Sequence, residues 1–190
     1  MSRAYRITVK ESTVRELTGS DEIAARLDVL EILPPERMGQ LLKDELRQRG
    51  FEEQPDGTFA RKDGEVTVTI DVKECEVRVR AEVGEEVKID VRRDGRGYDD
   101  VGPNQRAMRE VLQKQLKEDA DKQAAVETER LQERATTKLE ERLCDLQPEL
   151  GEIVNRVTRQ ALKEKASQLG SIKEIAEDEA SGSLTIRVEV

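Results

Sequence analysis

The sequence predicts an α+β fold in which an antiparallel β-meander sheet with one short helix precedes a long C-terminal helical hairpin and a closing β-hairpin. Two patterns indicate this class. In the first half of the chain, apolar residues alternate with polar ones, which is the period of a half-buried strand. Past Pro103 they recur every three or four residues, which is the period of an amphipathic helix.

We expect one structural unit made of three segments, since 190 residues suffice for a single core with an extension. Residues 1–102 form an α/β body with the meander. Residues 103–170 form the helical hairpin. Residues 171–190 form a C-terminal β-hairpin that returns to the sheet, where its last strand joins the meander or the N-terminal strand.

The body begins with a predicted strand at residues 5–9, where apolar and polar side chains alternate. Residues 26–33 are dense in branched aliphatic side chains and are predicted to form a second strand, which ends at Pro34. A helix follows over residues 35–49, because Pro35 suits its first turn and Gly50 supplies the left-handed residue that ends it.

Alternating runs predict the meander strands at residues 66–72, 75–83 and 87–91, after a short strand at 58–61. Hairpin turns are expected at Asp63-Gly64, Lys73-Glu74 and Gly84-Glu85. The strands place their apolar residues on one face, so one side of the sheet is predicted to be core and the other solvated.

The long helical region contains no helix breaker between Asn104 and Gln147, so a helix of about 40 residues, near 60 Å, fits this segment. Pro148 interrupts the pattern, and a second helix runs as far as Gly170. A hairpin of this length exceeds what a small sheet covers. We therefore expect side chains such as Leu131 and Leu139 to remain available to a protein partner or to a second copy, in a coiled-coil-like assembly.

Composition excludes several classes of function. A net charge of −9, with no dominant cluster of Lys and Arg, argues against nucleic acid as a ligand, and 2% aromatic residues leave no platform for stacking bases. No apolar stretch approaches the roughly 18 residues that span a bilayer, and the N-terminal residues lack the apolar core of a signal peptide. A cytoplasmic protein with two free thiols is expected.

The sequence contains no recognisable catalytic, cofactor or metal site. Histidine is absent, which removes the commonest general base and zinc ligand, and no glycine-rich nucleotide motif or nucleophile elbow occurs. Cys75 shares the phase of the meander strand and Cys144 lies near a helix end, so core packing is favoured for both over reactivity. The acidic run from Glu174 to Glu179 is interpreted as a solvated turn rather than a cation site.

The most suggestive loop covers residues 92–100. Its arginines suit an acidic partner or a phosphate, and Tyr98 is of a type enriched in protein interfaces. A flexible connector is favoured, because three aspartates largely neutralise the loop. The candidate partner-binding residues of this loop are Arg92, Arg93, Arg96 and Tyr98.

Residues 1–6, 30–38, 177–179 and 182–190 resemble a small bacterial family of accessory X components. Members of that family are encoded beside FtsH-type or MoxR-type AAA+ ATPases and von Willebrand A proteins in ternary conflict systems. The resemblance implies an adaptor without catalytic activity that serves an ATPase. It transfers no active-site residue.

Three functions remain open from the sequence. The favoured one is a non-enzymatic adaptor or scaffold that binds a protein partner, an AAA+ ATPase or von Willebrand A protein, or itself. The main alternative is a regulatory module that senses a small ligand or metal through its acidic or arginine-bearing loops. A carboxylate-dependent hydrolase is the third, and it is the least favoured because no motif supports it.

Overall fold

A computed structural model describes residues 4–98, 104–178 and 183–189, and its elements confirm the α+β class. In chain order the described elements are β1 (Ala4–Arg26), α1 (Pro35–Gln48), β2 (Glu52–Glu53), β3 (Phe59–Asp63), β4 (Val66–Asp71), β5 (Glu76–Tyr98), α2 (Gln105–Leu169), β6 (Ser171–Asp178) and β7 (Ser183–Glu189). Five strands form an antiparallel sheet in the order β1-β5-β4-β3-β2. Strands β6 and β7 form a separate antiparallel pair.

The chain divides into two units. One consists of residues 1–21 and 82–137, and the other of residues 22–81 and 138–190. Strands β1 and β5 and helix α2 contribute residues to both units. The boundary predicted between residues 102 and 103 lies outside the described residues.

In the first unit, the early part of α2 runs antiparallel to β5. Gly95 lies against Leu112, and Glu85 forms an ion pair with Arg134 at 2.9 Å. The strand advances ten residues between these contacts and the helix advances 22, and both distances amount to about 33 Å at their usual rises. The core between them contains Ile89, Ala120 and Ala124, so the alanine-rich part of the helix lets it approach the strands closely.

The second unit contains α1 and the β2–β4 strands. Helix α1 buries one apolar stripe, and β4 buries alternate residues, as the sequence predicts. Gly50 has a φ of 79° where α1 ends, which is the left-handed conformation that glycine adopts without strain. Buried hydrophobic residues of α1 and β4 are Met38, Leu41, Leu42, Leu46, Val66, Val68 and Ile70.

The prediction of a strand at residues 26–33 is wrong. Strand β1 ends at Arg26, and the amide of Leu27 still bonds the carbonyl of Cys75 at 2.7 Å. The bonds after it are local, and the amide of Val29 bonds the carbonyl of Leu27 at 2.9 Å. Leu27 and Leu33 are buried while Leu30 is 61% exposed. The aliphatic residues of this segment therefore act as single anchors and not as one face of a strand.

The turn predicted at Gly84-Glu85 and the loop predicted from Arg92 are also wrong for the described residues, because β5 is continuous from Glu76 to Tyr98. The apolar residues on both sides of Gly84 occupy odd-numbered positions. A strand that passes straight through keeps this phase, so the phase itself indicated a single strand.

The helical hairpin predicted over residues 103–170 is wrong, since α2 continues through Pro148. An interior proline costs about 3 kcal/mol because it removes one helical hydrogen bond and crowds the preceding turn. Leu146 and Ile153 on either side of it are almost fully buried, and Glu149 forms two hydrogen bonds to Arg61, at 2.7 and 2.8 Å. These contacts offset the cost and keep the helix unbroken.

Candidate functional site

The predicted arginine-bearing segment lies in β5, where its side chains alternate between two faces. Arg93 lies on the face toward α2 and forms a two-pronged ion pair with Asp119 at 2.5 and 2.7 Å. Arg92 lies on the other face and pairs with Asp94 at 3.3 Å. Arg96 and Tyr98 share that outer face, and Tyr98 is 57% exposed. The described part of this segment is thus a strand and not a flexible connector.

Asp94 is the centre of a small polar cluster on the outer face. It accepts a hydrogen bond from the hydroxyl of Thr8 and forms an ion pair with Arg6 at 3.2 Å. The Thr8 hydroxyl, followed by Arg6 and Arg92, lowers the pKa of Asp94 to about 2. Acidic partners inside the chain therefore already engage Arg92 and Arg93.

The predicted partner-binding leucines of the long helix are buried. Leu131 is 0% exposed and Leu139 is 5% exposed. The stripe that was expected to remain uncovered continues as buried residues at both ends of α2, from Leu112 to Ala166. The premise that this helix exceeds what the body covers is therefore wrong.

Charged side chains that the sequence analysis did not single out form an ion cluster in the second unit. Arg61 bonds Glu149, donates to the carbonyl of Arg49 at 3.1 Å, and lies over the ring of Phe51 at 4.5 Å. The hydrogen bonds from Arg61 lower the pKa of Glu149. Glu45, only 8% exposed, accepts a hydrogen bond from Arg49 at 3.0 Å. The cluster ties α2 to the strands, which is a structural role.

A groove of about 490 Å³ lies between α1 and the end of α2. It contains a mixture of cations and carboxylates, and its best-defined pair is Arg37 with Glu164 at 2.6 and 2.8 Å. Hydrogen bonding to Arg37 lowers the pKa of Glu164. Internal pairing of this kind leaves little unbalanced charge for a small ligand to recognise.

Two other predicted features differ from expectation. Cys75 lies in a turn with a φ of 50°, half-buried, and burial followed by the nearby Asp71 raises the pKa of its thiol. Cys144 is exposed, so the prediction that it packs in the core is wrong. Within the described residues no group of three or more acidic or cysteine side chains is placed to hold a metal ion. Glu179 lies outside the described residues.

The β6/β7 pair places apolar residues on one of its faces, and the described ones are partly buried or exposed. Ile175 lies opposite Ile186, and Ile172 lies opposite Val188. Ile175 is 42% exposed, and none of the described side chains in either strand is fully buried. The other face carries charge pairs, such as Lys173 with Glu189 at 2.7 Å. We call Ile172, Ile175, Leu184, Ile186 and Val188 the hairpin face.

The hairpin face is the strongest candidate surface, because a two-stranded sheet alone is only marginally stable in water and gains from a cover. Sequence reasoning predicted the hairpin but expected it to return to the main sheet. Its alternation of apolar residues with Lys, Glu and Arg indicated two distinct faces. Nothing in that pattern indicates whether the chain itself covers the apolar one.

Comparison with known families decides the identity. The model of the family described as FtsH ternary system domain X5 matches residues 1–190. The chain belongs to this family. It is therefore a component of a system with several proteins, as the resemblance found in the sequence implied. No curated protein and no solved structure matches the chain. Among the described residues, no helix of this X5 domain is long and apolar enough to cross a membrane.

Proposed function

We propose that this X5 domain is a non-enzymatic adaptor that binds the AAA+ ATPase of its ternary system through the hairpin face. The observation that carries the proposal is the incompletely buried apolar face of β6 and β7, which form a sheet of their own. Ile175 is exposed, and the other four residues of the hairpin face are partly buried. Membership in a family named for an FtsH system supports a protein as the occupant.

The chemistry of the hairpin face selects the kind of contact. Its side chains are all branched aliphatics, so association there is driven by removing apolar surface from water. Ion pairs across the opposite face, including Arg187 with Glu174 at 3.1 Å, hold the two strands in register without using the apolar side. A partner that covers the apolar side therefore also stabilises a hairpin that is only marginally stable alone.

The test measures binding of the purified full-length chain to the ATPase from the same system by calorimetry. Ile186→Lys places a charge in the centre of the hairpin face, and we expect it to weaken binding by at least about tenfold, since a buried unpaired charge costs more than 1.4 kcal/mol. Thr185→Lys adds the same charge to the exposed opposite face and serves as the matched control.

Three outcomes contradict the proposal. The first is no binding of the ATPase by the wild-type chain, and the second is equal loss of binding in both variants. The third is binding of the system's von Willebrand A protein through the same face in place of the ATPase. Thermal unfolding of each variant distinguishes lost contacts from a misfolded hairpin.

A further inference from the structure

The register between β1 and β5 in the first unit is constant. The Tyr5 ring lies against Gly97, Thr8 bonds Asp94, Ser12 bonds Asp90, and Thr18 lies against Gly84. The two residue numbers of every pair add to 102, so the pairing is antiparallel and free of bulges over this length.

One edge of β5 is open in this unit. Its pairing with β4 ends at Ala81, opposite Val66, and the described residues place no strand beside β5 from Glu82 to Tyr98 on that side. The segment contains no proline and keeps its alternation throughout. A long regular edge of this kind is a template for another strand.

The orientation of the backbone groups follows from Ser20. Its N–H and C=O both bond the side chain of Gln132, so they point away from β5. Backbone groups alternate along a strand, and Ser20 lies opposite Glu82 in the register given above. The even-numbered residues of β5 therefore direct their N–H and C=O groups toward the open edge.

The charges along this edge of β5 are complementary to those of a second, antiparallel copy of the same strand. When a second β5 is placed antiparallel with Ile89 opposite Ile89, three opposite-charge pairs form on the exposed face, and each occurs twice. They are Glu82 with Arg96, Glu86 with Arg92, and Lys88 with Asp90. Within one chain Lys88 also pairs with Asp90 at 3.0 Å and Arg92 with Asp94 at 3.3 Å, so these groups are shared between the two copies. The charged residues of these pairs are even-numbered, so they also exchange backbone hydrogen bonds.

Neighbouring registers lack this match. A shift of two residues in one direction places Glu86 opposite Asp94, and a shift in the other places it opposite Asp90. Like charges directly opposite each other are destabilising. We propose that the open edge of β5 pairs with the same edge of a second copy of this chain, centred on Ile89, and makes a two-fold dimer.

The outer edge of β1 is the rival surface. Within the first unit, its exposed face offers at most one distinct opposite-charge pair in any self-pairing register, with Glu16 opposite either Arg6 or Lys10. The Gln132 side chain also hydrogen-bonds both backbone groups of Ser20 on this edge of β1, so they are not available to another strand. Both observations favour the β5 edge.

The experiment measures the mass of the full chain by light scattering at concentrations up to about 100 µM, a range in which interfaces of modest affinity associate. We expect a species of twice the 21.5 kDa chain mass. Glu86→Arg and Arg92→Glu each put like charges opposite at two symmetric positions, and each is expected to raise the dimer Kd by about tenfold or more.

Combining Glu86→Arg with Arg92→Glu in one chain restores both opposite-charge pairs, so the Kd should return to within about threefold of wild type. Lys10→Glu changes the charge of β1 as Arg92→Glu changes that of β5, and it should leave the dimer intact. A monomeric wild-type chain, no recovery in the double variant, or equal weakening by Lys10→Glu would overturn the proposal. This dimer is independent of the ATPase contact, because its variants lie outside the hairpin face.

Discussion

The side-chain amide of Gln132 on α2 bonds both backbone groups of Ser20 on β1. Its oxygen accepts from the Ser20 amide at 3.1 Å, and its nitrogen donates to the Ser20 carbonyl at 2.6 Å. A side chain thereby takes the place of a neighbouring strand at this point of the sheet edge. The contact requires the helix and strand backbones to approach closely, and the adjacent Gly19 permits this approach.

Gly19→Ala should destabilise the protein by about 3 kcal/mol, the upper range for overpacking. A Cβ at this position would lie 2.3 Å from the backbone nitrogen of Gln132, and a backbone atom cannot move aside as a side chain can. Chemical denaturation of the variant measures the change in the free energy of unfolding.

Gly84→Ala is the matched control for Gly19→Ala, because it lies on the paired strand β5 and its added Cβ would make only ordinary van der Waals contacts. These are with Thr18 at 3.7 Å and with the carbonyl oxygen of Leu17 at 3.9 Å. We expect it to unfold at the same or a slightly higher denaturant concentration than wild type, since alanine restricts the unfolded chain. Equal destabilisation by both substitutions would show that the close approach at Gly19 is not the cause.

Glu149→Gln should lower the free energy of unfolding at pH 7 by about 1 to 3 kcal/mol, because it removes the charge that Arg61 bonds. The folded-state pKa of Glu149 is lowered, chiefly by Arg61. Its contribution is therefore present above the unfolded-state pKa and is lost as the pH falls through the folded-state value.

Denaturation curves recorded between about pH 7 and pH 2 test this dependence. Wild type should lose more stability over this interval than Glu149→Gln, while Glu140→Gln, at an exposed position on the same helix, should follow wild type. If wild type and Glu149→Gln keep a constant difference down to the lowest pH, the Arg61 pair does not stabilise the fold through this charge.

Thr8→Val should raise the pKa of the Asp94 carboxyl from about 2, since the Thr8 hydroxyl is the largest cause of its low value. Arg6 and Arg92 remain in place, so the pKa should stay below that of an ordinary aspartate. Carbon-detected NMR titration of the side-chain carboxyl measures the midpoint in both proteins. An unchanged midpoint would exclude the hydroxyl as the cause.

The two thiols should react at different rates with a disulfide reagent near pH 8. Cys144 is exposed, whereas Cys75 is half-buried in a turn and its thiol pKa is raised by burial and by neighbouring carboxylates. We expect a fast and a slow phase of equal amplitude, with Cys144→Ser removing the fast one. Loss of the slow phase in that variant would contradict the structure around Cys75.

The sequence predicted the elements whose patterns are local. The helix that begins at Pro35 and ends before Gly50 and the turn near Gly64 follow from residue types at fixed positions. The C-terminal β-hairpin also follows from alternation alone. These features need no knowledge of the rest of the fold.

Long-range contacts decided the remainder. Pro148 predicts a break in isolation, but Arg61, from a distant strand, bonds the next residue and helps to hold the helix together. Gly84 predicts a turn in isolation, but Thr18 of β1 packs against it within a continuous strand. At both positions, tertiary contacts override the local conformational preference of the residue. Leu131 and Leu139 were assigned to a partner for the same reason, since their cover comes from residues far away in sequence.

Hydrogen–deuterium exchange of the full chain, recorded with and without the ATPase of its ternary system, shows whether a partner covers the hairpin face. We expect slow exchange of amides in Ser171–Asp178 and Ser183–Glu189 only in the complex, because an uncovered two-stranded sheet opens readily. Unchanged exchange in these strands, in a mixture where the ATPase is bound, would contradict the account.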